Sequence, residues 1–383
     1  MGFSKLGILG GGQLGKMLCQ AASCWDLPVY MLDKSSTFPA GPFCRGFTEG
    51  DFKNFEDVLA FGQQMDIITI EIEHVNVQAL QQLKEEGKII HPDPAALDII
   101  KDKGKQKAFY SEHNIPTAPF QLFDNTEAVL QAIDRGELIY PFTQKSRTAG
   151  YDGKGVAIIR TEADLSEKLL SGPCLVEDLV AIEKEIAVVV ARNAQGEIKV
   201  YDPVEMQFNR DANLVEYLIC PASITSKQAL DCQQLAVKVM NCFSICGLLA
   251  VELFIDKSGK ILVNEVAPRP HNSGHHTIDS AVTSQFEQHI RGVLNYPLGS
   301  TRSIQPSVMV NLLGEPGYEG KAHYEGLKDC LGMEGVKIHI YGKEMTKPFR
   351  KMGHATIVSD SLDKALAIAK KVKSTLKIKT VSI

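Results

Sequence analysis

The chain has 383 residues, 44% of them hydrophobic and 23% charged, with a formal net charge of −5. That length suffices for two or three domains with their own cores, and the balance is that of an ordinary soluble globular protein. It argues against a general nucleic-acid binder while leaving room for a local basic pocket, and no apolar run reaches the roughly 20 residues that span a bilayer.

Residues 6–9 read as a buried strand and 13–24 as a helix. A second strand over 29–32, a helix over 55–65 and a strand over 67–72 continue the alternation, which implies a parallel α/β sheet. The chain enters its first strand at once, leaving no room for a signal sequence, and Leu6 stands where a myristoylation signal wants Ser or Thr. Gly10-Gly11-Gly12-Gln13-Leu14-Gly15 fits G-x-G-x-x-G between strand and helix, with Asp33 closing the second strand. A nicotinamide site is one reading; an anion of any kind at the helix N-terminus is broader, and a structural tight turn is a third.

His91-Pro92-Asp93-Pro94 marks a break, after which 98–112 reads as a helix opening the next domain. Gly150-Tyr151-Asp152-Gly153-Lys154-Gly155, preceded by Lys145, is a second glycine-rich loop. Its spacing is not that of a Walker A loop, so it is either a flap over a polyphosphate or a plain surface hairpin. Strands are expected at 174–177 and 185–191, and the apolar spacing over 226–246 predicts a long helix ended by Gly247. Nine cysteines without a C-x-x-C pair imply reduced thiols in a cytoplasmic protein, with Cys242 and Cys246 expected as buried apolar residues.

The most informative stretch lies between Glu252 and His276. Two apolar runs, 248–255 and 261–266, flank Asp256-Lys257-Ser258-Gly259-Lys260, which reads as a hairpin turn. With Ser258-Gly259 as its tip, Glu252 faces Glu265 across the ladder, their Cβ atoms roughly 5 Å apart. Like charges so placed destabilise a sheet unless a cation joins them, and Mg²⁺ is the natural candidate. Two solvated glutamates on an outer face are the alternative, and a three-residue loop would shift the register and separate them. His271-Asn272-Ser273-Gly274-His275-His276 admits a zinc reading, but no Cys or Asp cluster accompanies it, and Arg269 with His271 suits an anion better.

The last 80 or so residues give short strands at 307–313, 336–341 and 354–358 and a closing helix over 361–376. Leu362, Leu366, Ala369, Val372 and Leu376 form its apolar face, and Lys364, Lys370, Lys371, Lys373 and Lys377 its solvated one. Lys343 and Arg350 flank a predicted turn, where two cations clamp a phosphate or merely solvate a hairpin.

GGGQLG at 10–15, EIEHV at 71–75, GYDGKG at 150–155, NEVAPRPHNSGH at 264–275, SQFEQH at 284–289 and RKMGH at 350–354 are each moderately specific. Together and in this order they resemble the ATP-grasp superfamily, and more closely its 5-(carboxyamino)imidazole ribonucleotide synthase family. The resemblance spans essentially the whole chain. It implies an α/β and α+β architecture: a Rossmann-like domain over 1–98, an ATP-grasp domain with a glycine-rich lid over 99–298, and a small β-rich domain over 299–383.

The same resemblance implies a site. Lys103 and Lys145 would hold ATP phosphates beneath the loop Gly150, Tyr151, Asp152, Gly153, Lys154, Gly155 and Val156. Glu177, Asp178, Leu179 and Val180 would meet adenine through backbone groups, and Glu185 the ribose. Glu252 and Glu265 would ligate Mg²⁺ with Asn264 alongside. Gln13, Glu73, Tyr151, Asp152, Lys154, Lys343 and Arg350 would hold aminoimidazole ribonucleotide. Arg269, His271 and Asn272 would surround bicarbonate, with Asp152 and Lys154 also catalytic. Two positions depart from the family pattern: Asn209 where many relatives have His, and Lys103 where some have Arg.

The implied activity is ATP- and bicarbonate-dependent carboxylation of the nucleotide's amine through carboxyphosphate, in purine biosynthesis. It needs ATP and Mg²⁺ but neither biotin nor NAD, in a cytoplasmic homodimer without nucleic-acid or membrane partners. The competing expectations are a sister ligase that formylates glycinamide ribonucleotide, an NAD-binding dehydrogenase, and a non-catalytic ATP-binding module. The last is disfavoured because Glu252, Glu265 and Lys145 are all present.

Overall fold

The computed structural model describes residues 4–148, 155–209 and 214–380, with Asn209 described by its backbone only. Gly150, Tyr151, Asp152, Gly153 and Lys154 therefore lie outside the described residues.

Five parallel strands make the N-terminal sheet in the spatial order Gly46–Glu49, Val29–Asp33, Leu6–Leu9, Ile67–Ile70, Ile89–Ile90. Its central strands are mostly apolar and buried because both faces are covered. Leu6, Ile8 and Met31 pack with Leu14 and Leu18 of helix Gln13–Ser23 and with Phe286 and Ile290 of helix Gln285–Val293. Leu9, Leu32 and Ile68 pack on the other side with Phe61 of helix Phe55–Gln63 and Leu80 of helix Val77–Glu85. The edge strand Gly46–Glu49 escapes sequence reading because it is short and only half covered.

The helix expected over 98–112 is two helices, Pro94–Ile100 and Lys103–Glu112. Asp102 causes the break: its carboxylate accepts the N–H of Gly104 and Lys105 as an N-cap. It also pairs with both Nε and Nη2 of Arg147, at 3.0 and 2.6 Å. The break makes Lys103 the first residue of the second helix.

A four-stranded antiparallel sheet follows, ordered Phe120–Phe123, Cys174–Asp178, Phe142–Ser146, Val156–Ile159. The nine-stranded sheet runs Ile261–Ala267, Gly247–Asp256, Ile182–Arg192, Val204–Asn209, Leu214–Cys220, Ser307–Leu313, Lys351–Val358, Val336–Ile340, with Ile198–Val200 paired onto Ile182–Arg192. Because Leu214–Cys220 pairs with Ser307–Leu313, this sheet passes across the boundary expected near residue 298. The central helix, Ser226–Phe243, ends at Ser244 in the left-handed region (φ 52°), not at Gly247. Gly247 instead opens the strand Gly247–Asp256 at φ +97°, where a Cβ would lie 2.9 Å from the His289 ring.

The closing helix is Leu362–Thr375, capped by Ser361, with Ala365, Ala369 and Val372 buried. Its polar face is less purely solvated than expected, since Lys373 pairs with Glu216 and Lys377 lies 3.4 Å from Glu315. All nine cysteines are free, and Cys242 and Cys246 are half-buried, not buried. Among the described residues no helix is long and apolar enough to cross a membrane.

Candidate active site

Glu252 and Glu265 do face one another across the hairpin, but the route to that register differs from the expected one. The turn spans three residues: Asp256 and Lys260 pair through their backbones, and Asp256 Oδ1 accepts from Ser258 and Lys260 N–H while Gly259 takes φ +84°. Pairing accordingly starts one step out of the predicted register, with Ile255 opposite Ile261 and Leu253 opposite Val263. A bulge at Asn264 then absorbs the extra residue and restores Glu252 opposite Glu265. The bulge also presents Asn264 to the site, where its Oδ1 accepts from Lys145 Nζ at 2.8 Å.

Three lysines neutralise the carboxylates around this hairpin. Lys103 is ion-paired with Glu265. Glu177, 4% exposed at its side chain, bridges Lys107 and Lys145, the latter at 2.6 Å. Lys107 was not anticipated; its position four residues after Lys103, hence on the same helix face, is the signal that would have found it. Glu177 and Asp178 sit within the strand Cys174–Asp178, and Leu179 and Val180 connect it to Ile182–Arg192, which carries Glu185.

The charges divide accordingly. Burial, then the neighbouring Glu265 and Glu185, pushes the Glu252 carboxyl well above the ordinary range. Lys103 holds Glu265 well below it, overcoming burial. Burial raises Glu185 to about 7, with Lys145 opposing. At Glu177 burial acts upward, yet Lys145 and Lys107 together prevail and depress it. Burial lowers Lys107 to about 8 against the pull of Glu177. A partly protonated Glu252 beside an ionised Glu265 is the state expected of two carboxylates crowded at one place.

The segment after the hairpin is held by a glutamine. Gln285, fully buried, accepts from His271 N–H at 2.9 Å, donates to His271 O at 2.8 Å, and lies 2.9 Å from His275 Nδ1. That clamp aims the His271 ring, whose Nε2 stands 3.6 Å from Glu252 and whose Nδ1 meets Ser273 Oγ at 2.9 Å. Arg269 reaches Glu73 at 2.7 Å. His276 Nδ1 is engaged by Ser280 Oγ at 3.0 Å, so neither it nor His275 offers that nitrogen to a metal.

These groups converge on a cavity of about 1040 Å³ between the three parts of the chain. Glu252, Glu265, Lys103, Arg269, His271 and Asn272 line it. Gln13, Glu73, Lys343 and Arg350 line it too, joined by Lys347 and Lys351, which sequence reading did not single out. Lys343 Nζ donates to Lys351 O at 2.7 Å and lies 5.5 Å from the Tyr341 ring centre. Arg350 Nη1 donates to Met345 O at 2.6 Å. Lys145, Glu177, Glu185 and Asn264 do not line this cavity, and Lys145 meets the hairpin at Asn264.

The first glycine loop is no dinucleotide site. Glu71, on the strand end next door, accepts the N–H of Gly12 at 2.8 Å and of Gly15 at 2.7 Å, while Asp33 accepts that of Gly11 at 2.7 Å. The chain's own carboxylates thus occupy the amides that a pyrophosphate would need. Gly10 (φ +106°) is required there, since a Cβ would approach Glu71 to 2.5 Å.

Among the described residues no group of three or more His, Cys, Asp or Glu is placed to hold a metal. The Glu252–Glu265 pair fits a cation of a different kind: two hard carboxylate donors suit Mg²⁺, which fills the rest of its octahedron with water and phosphate oxygens.

Three family models match the chain in succession: a ribonucleotide synthetase preATP-grasp domain over residues 3–101, an ATP-grasp domain over 108–286, and a phosphoribosylaminoimidazole carboxylase C-terminal domain over 307–368. The N5-carboxyaminoimidazole ribonucleotide synthase of Bacillus subtilis is 35% identical over 361 residues, covering 94% of this chain and 92% of that one. The phosphoribosylaminoimidazole carboxylase of Candida glabrata is 35% identical over 371 residues, but the chain spans only 64% of its length. The crystal structure of N5-carboxyaminoimidazole ribonucleotide synthetase from Thermotoga maritima superimposes with a TM-score of 0.91 at 42% identity, covering 99% of this chain and 100% of that one.

Proposed function

Since the chain belongs to the N5-carboxyaminoimidazole ribonucleotide synthase family of ATP-grasp proteins, we propose that it joins bicarbonate to the amine of 5-aminoimidazole ribonucleotide at the expense of ATP. The observation that carries this reading is the single cavity on which the Glu252–Glu265 hairpin, the Arg269–Asn272 segment and the Lys343–Arg350 turn all open. Its lining holds both a carboxylate pair that suits a metal–nucleotide and, in Lys343, Lys347, Arg350 and Lys351, cations that suit a phosphate ester.

Bicarbonate is a poor electrophile, and transfer of the ATP γ-phosphoryl group converts it to carboxyphosphate. The protein's part in that step is positioning and charge neutralisation. Lys103 and Lys145 receive the ATP phosphates, while Arg269, His271 and Asn272 hold bicarbonate in line. Mg²⁺ bound by Glu252 and Glu265, with Asn264 beside them, would neutralise phosphate charge. Leu179 and Val180, with Glu177 and Asp178, meet adenine, and Glu185 the ribose; Asn209 stands near the nucleotide. Gln13, Glu73, Lys343 and Arg350 seat the aminoimidazole ribonucleotide. The loop from Gly150 to Val156 shields carboxyphosphate from water, with Tyr151, Asp152 and Lys154 contributing to substrate binding. The amine then attacks the carboxyl carbon and inorganic phosphate leaves. The same reading divides the chain near 98 and 298 and makes it a cytoplasmic homodimer.

The test is ADP release with ATP, Mg²⁺ and bicarbonate, with and without aminoimidazole ribonucleotide. Strong stimulation and one acid-labile product per ADP is the expected result. A response to formate and glycinamide ribonucleotide instead would transfer the assignment to the formylating ligase. In the same assay Lys343→Ala is expected to raise the KM for the nucleotide substrate about tenfold or more, the scale of one charge-assisted phosphate contact. The KM for ATP should hold within about twofold; equal loss of both would misplace the C-terminal part.

A further inference from the structure

Asn272 does not stand alone in the cavity wall. Its Nδ2 donates to Asn311 Oδ1 at 2.9 Å, and Asn311 Nδ2 donates back to Asn272 Oδ1 at 3.0 Å. Asn311 lies in the strand Ser307–Leu313, is only 6% exposed and does not line the cavity. Its Nδ2 also donates to the backbone carbonyl of Val215 at 2.9 Å. A carbonyl can only accept, so Val215 dictates which end of the Asn311 amide faces which way. Asn311 in turn dictates the sense of the Asn272 amide. One N–H and one oxygen lone pair of Asn272 are used in this pair, and its second N–H is left for the cavity.

We propose that Asn311 is a positioning residue for the acyl-phosphate step: through the reciprocal amide pair it turns an N–H donor of Asn272 toward the bound bicarbonate. The proposal rests on the function given above. It assigns to a buried strand of the C-terminal part a role in the chemistry of a loop 39 positions away in sequence. The pair connects two segments that otherwise belong to different family models, so the orientation of Asn272 depends on the two parts being docked.

Asn311→Asp keeps the shape and removes the donors. A carboxylate there faces the Val215 carbonyl and Asn272 Oδ1, acceptor against acceptor, and accepts the Asn272 N–H equally in either sense, so the pair is pushed apart and the sense of the Asn272 amide is no longer fixed. The expected result is a KM for bicarbonate raised about tenfold or more, the scale of a lost hydrogen bond to an anion. More than one ADP should form per carboxylated product, with the KM for ATP within about twofold of the parent's. Asn311→Ala and Asn272→Ala, alone and combined, supply a measurement that survives if the aspartate variant fails to fold. If Asn311 acts through Asn272, its loss in the Asn272→Ala background changes kcat/KM for bicarbonate less than about twofold. Effects that multiply instead, or an Asn311→Asp protein whose bicarbonate KM and ADP-to-product ratio match the parent's, overturn the inference. A parent protein that ignores aminoimidazole ribonucleotide would reject the underlying function itself, so the two failures are distinguishable.

Discussion

Lys145→Met is expected to fold like the parent protein and to cleave ATP about 10²–10³-fold more slowly, whereas Glu177→Gln is expected to lose stability first. The difference follows from one buried trio. Glu177 lies between Lys107 and Lys145, with side-chain exposures of 4%, 3% and 10%. Removing Lys145 leaves Lys107 and Glu177 as a neutral pair, with Lys107 still bonded to Thr117, so no buried charge is left without a counter-charge. What disappears is the cation that reaches from this trio to Asn264 on the hairpin bulge, the point where the charge of a transferring phosphoryl group would be met. Glu177→Gln instead strands two ammonium groups beside each other out of water. Breaking a buried pair in this way costs roughly 3–5 kcal/mol, a large share of a margin of about 5–15 kcal/mol. Urea melts of both variants, read beside ADP release, test the contrast. A Lys145→Met protein that is as destabilised as Glu177→Gln would show that the trio is structural and that Lys145 is not poised toward substrate.

Much of this site was legible because short motifs carry their own geometry. The parallel N-terminal sheet follows from apolar runs separated by helical spacing, and the facing of Glu252 and Glu265 from counting outward from a turn. That count reached the right pair through the wrong loop: the turn has three residues, and the bulge at Asn264 compensates. A bulge leaves almost no sequence signature, since any residue can occupy it. The glycine loop misled for a related reason. Glycines report that something approaches the backbone closely, and here the approaching groups are Glu71 and Asp33, 59 and 22 positions distant. Gln285 and Asn311 act through partners on other elements, and a buried amide in an apolar strand or helix looks like any other polar residue until the partner is placed. Lys107, by contrast, was within reach, one helical turn from Lys103.

Glu252→Gln is expected to abolish most activity and yet to stabilise the ligand-free protein at alkaline pH. Burial and the facing carboxylates raise the Glu252 ionisation above its unfolded value, which is about 4.3. In the window between those two values the folded chain keeps a proton that the unfolded chain has already released. Stability therefore falls as pH rises through that window. Glu185, raised to about 7, contributes in the same direction, whereas Glu265 is depressed and acts only in acid, where stability is lost as pH falls. Glutamine carries no proton to lose, so the variant should show a flatter dependence of Tm on pH between about 6 and 8.5 and a higher Tm than the parent at the upper end. Each kcal/mol relieved is worth about 2–4 °C in domains of ~150–250 residues. The parent's cost is repaid on binding: a cation that takes up the ionised pair should stabilise the parent by more at pH 8 than it stabilises the variant. Thermal melts of both proteins with and without Mg²⁺ and ATP across this range read all of these differences without relying on turnover. A variant that melts in parallel with the parent at every pH would mean that Glu252 is already ionised and compensated in the free protein, and that its place opposite Glu265 stores no electrostatic strain for a ligand to release.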